Sequence, residues 1–223
     1  LGMEEYHAWK LDKANLKDGP ISCSMLKEFE ANPFAWLRAP ERKPTAAMNT
    51  GSLLDLALTQ PDTMEERVAV SMFNDFKTKA AREWRDETLA SGKIIAKAEE
   101  ITNAKACADA VREHEVAGPI MRYAQCQVGV VGEVGGIPAK CLIDIVPARE
   151  TEWEETIFDF KTTSFGLSDE AISKAIGQWK YHWQAAFYTT LANKVFPDRV
   201  FTDFAFIFQD PQTREVRVVK LHE

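Results

Sequence analysis

Two apolar segments in the second half of the chain, each carrying acidic residues, constrain the fold most strongly. The first spans residues 139–146 and contains Asp144, and the second spans residues 156–161 and closes with an Asp-Phe-Lys triplet. Their branched and aromatic side chains predict strands that are buried on both faces, as in the central sheet of an α/β protein. Charged groups at the ends of such strands are costly to desolvate unless they are paired or hold a metal ion.

The charged residues of these two strands are predicted to meet. Side chains two apart in a strand point the same way, so Asp159 and Lys161 share one face while Phe160 enters the core. The polar loop 147–155 can return the second strand beside the first, which would bring Asp144 close to both. Two carboxylates and an ammonium group suit binding of a divalent metal and a phosphate. The alternative is a surface hairpin with an ordinary Asp–Lys pair, worth under about 1 kcal/mol.

A pair of polar residues further along makes the pattern more specific. Gln184 and Tyr188 lie four residues apart in a segment with helical periodicity. Together with Asp144 and the triplet of residues 159–161, they resemble the motifs of the PD-(D/E)xK nuclease superfamily. The resemblance is strongest to its phage-type recombination exonucleases, the group of RecE, lambda exonuclease and YqaJ-like proteins, and it covers about residues 21–208. It implies an α/β fold with a restriction-endonuclease-like core, in which helices flank a mixed central β-sheet.

The resemblance also implies a metal site. Asp144 and Asp159, helped by the backbone carbonyl of Phe160, would hold Mg²⁺, with Mn²⁺ as a substitute. A glycine followed four residues later by an acid recurs in the relatives, and Asp55 stands at that position after Gly51. Asp55 would then line the metal pocket from a helix, and the alternative is a solvated helix residue.

The remaining catalytic roles are likewise implied by the resemblance. Lys161 would orient the attacking water or neutralise the charge on the phosphate, Gln184 would position the reacting groups, and Tyr188 would support it. Lys180, four residues before Gln184, extends the same helical row and is predicted to contact DNA. The alternative is an exposed row of polar residues on a helix surface.

A second phosphate site is implied near the N-terminus. In the lambda-type exonucleases, a basic residue, six intervening positions and a serine at a helix start bind the DNA 5′-phosphate. Lys17 and Ser24 stand at this spacing, although that family prefers arginine where this chain has lysine. A helix N-terminus with free N–H groups suits a phosphate. The alternative is that Ser22 and Ser24 only cap the helix.

Two residues on the strand before the first acidic segment could add to the metal shell. Relatives often carry a glutamate about where this chain has Gln127, so the resemblance implies that this chain has lost one acidic ligand and could use a single metal ion or an altered one. Glu133, near the predicted hairpin turn Gly135-Gly136, is the other candidate.

The elements are predicted to form one domain over residues 1–223, with a helical part over 1–124 and the catalytic sheet and helices over 125–223. The predicted helices cover residues 21–37 (divided at Pro33), 46–60, 73–91, 93–114, 117–123, 168–177 and 179–195. The predicted strands cover residues 126–134, 139–146, 156–161, 201–208 and 215–221.

Charge restricts how the chain could meet nucleic acid. The formal net charge is −7, which argues against a nonspecific nucleic-acid coat but allows a locally basic channel beside an acidic site. The most basic region lies in residues 77–97, and it predicts either a solvated helix face or a wall flanking DNA. In the second case Trp84 could stack on a base.

Cysteine spacing and hydropathy indicate the compartment. None of the four cysteines forms a C-x-x-C pair, which disfavours zinc and redox chemistry, and reduced thiols are expected. No apolar run is long enough to span a membrane and no signal peptide opens the chain. We therefore expect a cytoplasmic protein of a bacterial cell, and the resemblance implies that a phage or prophage encodes it.

The resemblance implies a Mg²⁺-dependent exonuclease that degrades linear double-stranded DNA from 5′ to 3′ during recombination by single-strand annealing. It also implies a ring-shaped homo-oligomer, a trimer or tetramer, and partnership with a single-strand-annealing recombinase. Two alternatives remain open. One is an endonuclease of repair or restriction type on the same scaffold, and the other is a non-catalytic DNA-binding protein that retains the fold.

Overall fold

The computed structural model describes residues 3–12, 19–39 and 46–221. The described helices are α1 (Met3–Ala8), α2 (Cys23–Ala31), α3 (Pro33–Arg38), α4 (Ala46–Thr59), α5 (Met64–Arg67), α6 (Lys79–Ala90), α7 (Ala98–Glu113), α8 (Ala117–Met121), α9 (Asp169–Gln178) and α10 (Tyr181–Val195), with a 3₁₀ helix at Pro61–Thr63. The described strands are β1 (Val68–Val70), β2 (Ile94–Ala96), β3 (Gln125–Val134), β4 (Ile137–Val146), β5 (Thr156–Thr162), β6 (Asp203–Gln209) and β7 (Val216–Lys220).

Five strands form the main sheet, in the order β3-β4-β5-β6-β7. Strands β5 and β6 run parallel, and the other neighbouring pairs run antiparallel. The β3–β4 hairpin turns at Gly135 and Gly136, whose φ angles of 62° and 77° favour glycine. The sheet is mixed and flanked by helices, which confirms the predicted α/β class and its restriction-endonuclease-like core.

Two apolar cores lie on opposite faces of this sheet. Helices α4, α7 and α8 cover one face, where Phe158 and Ile207 are fully buried. Helices α2, α9 and α10 cover the other face, where Ile157 and Phe206 are fully buried. Because side chains alternate along β5, Asp159 shares the face of Ile157 and points towards α10.

The helix starts confirm the signals in the sequence. The Ser22 hydroxyl accepts a hydrogen bond from the Met25 amide at 3.4 Å and caps α2. Asn32 caps α3 and is followed by Pro33 at the first helical position, so the predicted division at Pro33 is confirmed. Ser168 caps α9 in the same way.

The prediction of one helix over residues 93–114 is wrong at its start. Ile94–Ala96 is a strand that pairs in parallel with Val68–Val70, and α7 begins only at Ala98. Branched side chains at Ile94 and Ile95 favour a strand, and Gly92 with φ of 77° ends the preceding turn. The pairing partner lies outside this segment, so local periodicity did not reveal it.

The helix predicted over residues 73–91 is shorter in the structure, where α6 begins only at Lys79. The segment before it places Phe73 and Phe76 against Trp84, with ring centroids 5.7 Å and 6.3 Å away. Trp84 is therefore half-buried in an aromatic cluster, which accounts for its position without a stacked base. None of the described helices is both long and apolar enough to cross a membrane.

A buried lysine attaches the first helix to the sheet. Lys140 on β4 is only 8% exposed, and its ammonium group donates hydrogen bonds to the carbonyls of Tyr6 at 2.6 Å and Trp9 at 2.5 Å. The same group lies 4.5 Å from the centroid of the Tyr6 ring. Burial lowers the pKa of Lys140. These contacts hold α1 at one wall of the groove described below.

Replacing Lys140 by Met should weaken this attachment, because Met keeps the apolar stem but removes the charged donor. We expect the free energy of unfolding to fall by about 2 kcal/mol. Urea denaturation would measure it. The matched control is Lys105→Met on the exposed face of α7, which should change stability little. Equal effects of the two substitutions would contradict the role given to Lys140.

Candidate active site

The pairing of β4 with β5 stops where the two aspartates face each other. All residues of β4 and β5 are described, and only one residue pair, Ile145 with Phe158, is aligned as β-sheet partners between them. One step further in the same antiparallel register sets Asp144 opposite Asp159. There the Phe160 amide donates to the Asp144 carboxylate at 3.0 Å instead of continuing the main-chain ladder. The predicted meeting of the two strands' carboxylates is thus present in the fold.

The regular alternation of side chains is interrupted at the same level. Ile143 and Ile145 are two apart in β4, yet they belong to cores on opposite faces of the sheet. On the neighbouring strand β3, Gln127 has a φ of 55°, a left-handed conformation that a residue with a side chain adopts at a cost of about 1–2 kcal/mol. This irregularity points the Gln127 side chain at the carboxylates.

The Gln127 amide lies between two carboxylates. Its nitrogen donates to both oxygens of Asp55 at 3.1 Å and approaches Asp144 Oδ1 at 3.5 Å. Asp55 comes from α4 and is half-buried, so it is not the solvated helix residue of the alternative interpretation. The predicted candidates Asp55, Gln127 and Asp144 are therefore brought together. Glu133 is exposed at the hairpin end of β3, away from them.

Asp159 is the most buried acid of the group and is held from two sides. Its exposed fraction is 2%, and one carboxylate oxygen forms an ion pair with the Lys161 ammonium group. The other oxygen accepts a hydrogen bond from the Gln184 amide on α10. Gln184 is itself buried, which favours the functional interpretation of the helical row over an exposed surface row.

The electrostatics of the carboxylates indicate an excess of negative charge. Burial, and then the charge of Asp159, raises the pKa of Asp55 to about 6. Burial raises the pKa of Asp144 well above its ordinary value, and the charges of Asp159 and Asp55 raise it further. A cation bound among these groups would reverse both shifts.

The lysine and tyrosine respond to the same charges. Burial alone would lower the pKa of Lys161, but the carboxylates of Asp159 and Asp144 outweigh burial and raise it above its ordinary value. Lys161 therefore stays protonated near neutral pH. Burial, together with the same two carboxylates, raises the pKa of Tyr188 well above its ordinary value, so its phenol stays neutral.

The donor set of this site fits a hard divalent cation. Within residues 3–12, 19–39 and 46–221, no three His, Cys, Asp or Glu side chains stand close enough together to form a metal site as they are. The pKa values of Asp55 and Asp144 are nevertheless raised by burial and by neighbouring carboxylates, and carboxylate oxygens are the ligands that Mg²⁺ prefers. The Gln127 amide also offers an oxygen if its side chain turns over.

A groove of about 1050 Å³ leads to this site. Gln184 and Tyr188 line its inner end, and α1, α2 and α3 form its walls. Ser24 lies on the groove, and its hydroxyl shares a 2.9 Å hydrogen bond with that of Ser22. Lys17, the predicted partner of Ser24, lies outside the described residues.

The predicted position of Lys180 within a helical row is wrong. Lys180 precedes α10 and has a left-handed φ of 48°, so it does not continue the row of Gln184 and Tyr188. Its ammonium group forms an ion pair with Glu30 on α2 and lies 4.7 Å from the centroid of the Trp183 ring. Helix α9 ends at Gln178 and α10 begins at Tyr181, and the regular four-residue spacing in the sequence did not reveal this break.

Two residues that the sequence analysis missed stand beside Lys161. Tyr181 lies at the start of α10, and the Lys161 ammonium group is 5.2 Å from the centroid of its ring. Lys27 on α2 approaches the same ring at 5.6 Å. A signal for Lys27 was present, because it lies four residues after the buried Cys23 and so on the inner face of its helix.

The fold and these side chains define a protein of the PD-(D/E)xK nuclease class. Residues 22–214 match the family described as "PDDEXK-like domain of unknown function (DUF3799)", and the chain belongs to that family. This confirms the resemblance recognised in the sequence.

A solved structure agrees with this assignment at the level of fold. The chain resembles a protein from Eubacterium rectale that is described as a candidate exonuclease, with a TM-score of 0.59 and 18% sequence identity. The similarity covers 100% of this chain and 78% of the other. No curated protein sequence matches the chain. The family and the fold support nuclease activity, and nucleases of this class generally use divalent metals.

Replacing Asp55 by Asn should stabilise the metal-free protein at pH 8 by about 1–3 kcal/mol and leave it nearly unchanged at pH 4. The folded pKa of Asp55, about 6, is above its unfolded value, so its stabilising contribution is complete below the unfolded pKa and is lost as the pH rises through 6. Urea unfolding in EDTA at pH 4, 6 and 8 would measure this difference.

Asp62→Asn in the exposed 3₁₀ turn is the matched control and should show no such pH dependence. Adding Mg²⁺ should raise the stability of the wild-type protein more than that of Asp55→Asn, because a cation neutralises the carboxylate that the substitution removes. A stabilisation of equal size at pH 4 and pH 8 would contradict the burial of a charged Asp55.

Proposed function

We propose that this protein is a Mg²⁺-dependent deoxyribonuclease that hydrolyses phosphodiesters. One observation carries the proposal: buried Asp159 is held by Lys161 and Gln184, while Asp144 stands opposite it on the next strand. Binding of DNA alone needs no buried carboxylates near the phosphates, where they would repel the backbone. Hydrolysis needs both a metal-binding acid pair and a cation for the phosphate.

Lys161 supplies the cation. Its raised pKa keeps it protonated, and its side chain is 20% exposed, so its ammonium group can reach a phosphate from the open side of the site. There it would neutralise the negative charge that grows on the phosphate during attack. Such a fixed charge needs little reorganisation at the moment of reaction.

Gln184 and Tyr188 organise the other side of the site. The Gln184 amide holds the Asp159 carboxylate in one orientation, and it lines the groove through which a strand would enter. Tyr188 stays a neutral phenol and can donate a hydrogen bond to a bound phosphate.

Asp144, Asp159 and Asp55, with the backbone carbonyl of Phe160, would hold the metal ion. Mg²⁺ is the expected ion and Mn²⁺ the substitute, because all these ligands are hard oxygen donors. When bound, the ion lowers the pKa of a coordinated water and stabilises negative charge on the phosphate.

We extend the proposal to an exonuclease that acts from 5′ to 3′ on linear double-stranded DNA during phage-type recombination. The resemblance to recombination exonucleases supports it, as does the description of the Eubacterium rectale protein. Ser24 on the groove, with Lys17, would hold the 5′-phosphate, and Lys180 would contact the backbone. A ring-shaped homo-oligomer and a single-strand-annealing partner belong to the same proposal.

One observation favours a second function, a non-catalytic DNA-binding protein. Gln127 stands about where relatives carry a glutamate, and its amide already satisfies Asp55 and Asp144 by hydrogen bonds. A site without that acid would bind metal more weakly. An endonuclease on the same scaffold would have the same residues and would differ only in substrate.

Asp144→Asn and Lys161→Gln should each abolish Mg²⁺-dependent degradation of end-labelled linear duplex, with a loss of at least about a hundredfold. Asn keeps the hydrogen bond with the Phe160 amide, and Gln keeps a donor for Asp159, so both variants should fold. Gel analysis with Mg²⁺ and with EDTA is the measurement. Lys105→Gln on α7 is the control. Wild-type degradation in EDTA, or full activity of both variants, would rule out the mechanism.

Linear duplex should be degraded, whereas covalently closed circles should stay intact, because an exonuclease needs an end. With a label at one 5′ end, that label should be released first as mononucleotide. Cleavage of circles would indicate an endonuclease instead, and early release of a 3′ label would indicate degradation from 3′ to 5′.

A separate titration with metal ions, followed by calorimetry, tests the non-catalytic alternative. Absence of metal binding would favour the non-catalytic protein.

A further inference from the structure

Lys27 occupies the inner face of α2, at the edge of the groove. It is half-buried, and its ammonium group donates a hydrogen bond to the carbonyl of Trp179 at 2.9 Å. It lines the groove together with Gln184 and Tyr188. Lys27 thus lies where a strand that reaches Gln184 would pass.

The charge of Lys27 lacks a carboxylate partner. Among the residues that the structure describes, no acid lies within ion-pair distance of its ammonium group. Its neighbour Lys180, by contrast, is paired with Glu30. An ammonium group has three donors, and only one is used by Trp179. Partial burial of such a cation is costly unless an anion arrives to accept the remaining donors.

The ring of Tyr181 connects Lys27 with Lys161. The two ammonium groups lie 5.6 Å and 5.2 Å from the centroid of this ring. The two cations are therefore neighbours in space although they come from helix α2 and strand β5. Lys161 is bound to Asp159, whereas Lys27 is not, so the two have different tasks.

We propose that Lys27 is a second phosphate-binding residue of the site and binds a backbone phosphodiester of the DNA strand next to the scissile one. Both cations contact the ring of Tyr181, and each would bind its own phosphate. The proposal rests on the proposed nuclease function for the identity of the strand. Lys27 does not touch the carboxylates, and its role is to position the substrate.

A purely structural role is the competing explanation, because the bond to Trp179 joins α2 to the segment between α9 and α10. Such a role would change stability but not the number of phosphates that are contacted. The salt dependence of binding separates the two, since each phosphate contact contributes about 0.7–0.9 to the slope of log K against log salt.

The experiment measures binding of a fluorescent duplex with a single-stranded overhang to the Asp144→Asn protein, in EDTA, over a range of salt concentrations. Adding Lys27→Met should weaken binding about tenfold at low salt and reduce the slope by about 0.7–0.9. Lys27→Arg should restore both. Lys194→Met, an exposed lysine in the last turn of α10, is the control for the loss of one charge and should leave the slope unchanged.

An unchanged slope for Lys27→Met, or an equal change for Lys194→Met, would overturn the proposal. So would an effect seen only with 5′-phosphorylated DNA, since this would assign Lys27 to a terminal phosphate. If Lys27→Met does not fold by circular dichroism, Lys27→Gln replaces it and keeps a donor for Trp179. Failure of the nuclease function would appear separately, as no degradation by the wild-type protein with Mg²⁺. The binding result would still decide the role of Lys27.

Discussion

Burial of one charged group, Asp159, is the constraint on which the rest of the site depends. A carboxylate that is 2% exposed in the middle of an apolar strand needs compensation. Lys161 provides a charge from the same strand, and Gln184 provides a donor from α10. These two contacts fix the distance between the sheet and α10, and so they define the inner end of the groove.

Much of this arrangement could be predicted because it depends on local patterns. Alternation along the strand determines that Asp159 and Lys161 share a face, and helical spacing determines that Gln184 and Tyr188 do. Burial on both faces followed from the apolar composition of residues 156–161. The pairing of these two strands, and with it the meeting of Asp144 with Asp159, then required only that the loop 147–155 return the chain.

The features that were not predicted depend on contacts between distant segments. Strand Ile94–Ala96 exists because Val68–Val70 pairs with it, and nothing in its own periodicity excludes a helix. Lys180 does not share a helix face with Gln184 and Tyr188, because the chain turns sharply at Lys180 between α9 and α10. Lys27 and Lys161 lie close together because α2 packs against α10. The spacing of residues along the chain does not predict this contact.

The amide of Gln127 has a consequence for how this protein matures. Because it hydrogen-bonds the carboxylates of Asp55 and Asp144, two acids find partners before any ion arrives. Small zinc domains, by contrast, acquire their structure only on loading the metal. Here the hydrogen bonds of Gln127 can hold the two carboxylates in place without a metal ion. Under the proposed function, binding of the metal ion would then be a late and reversible event, separate from folding.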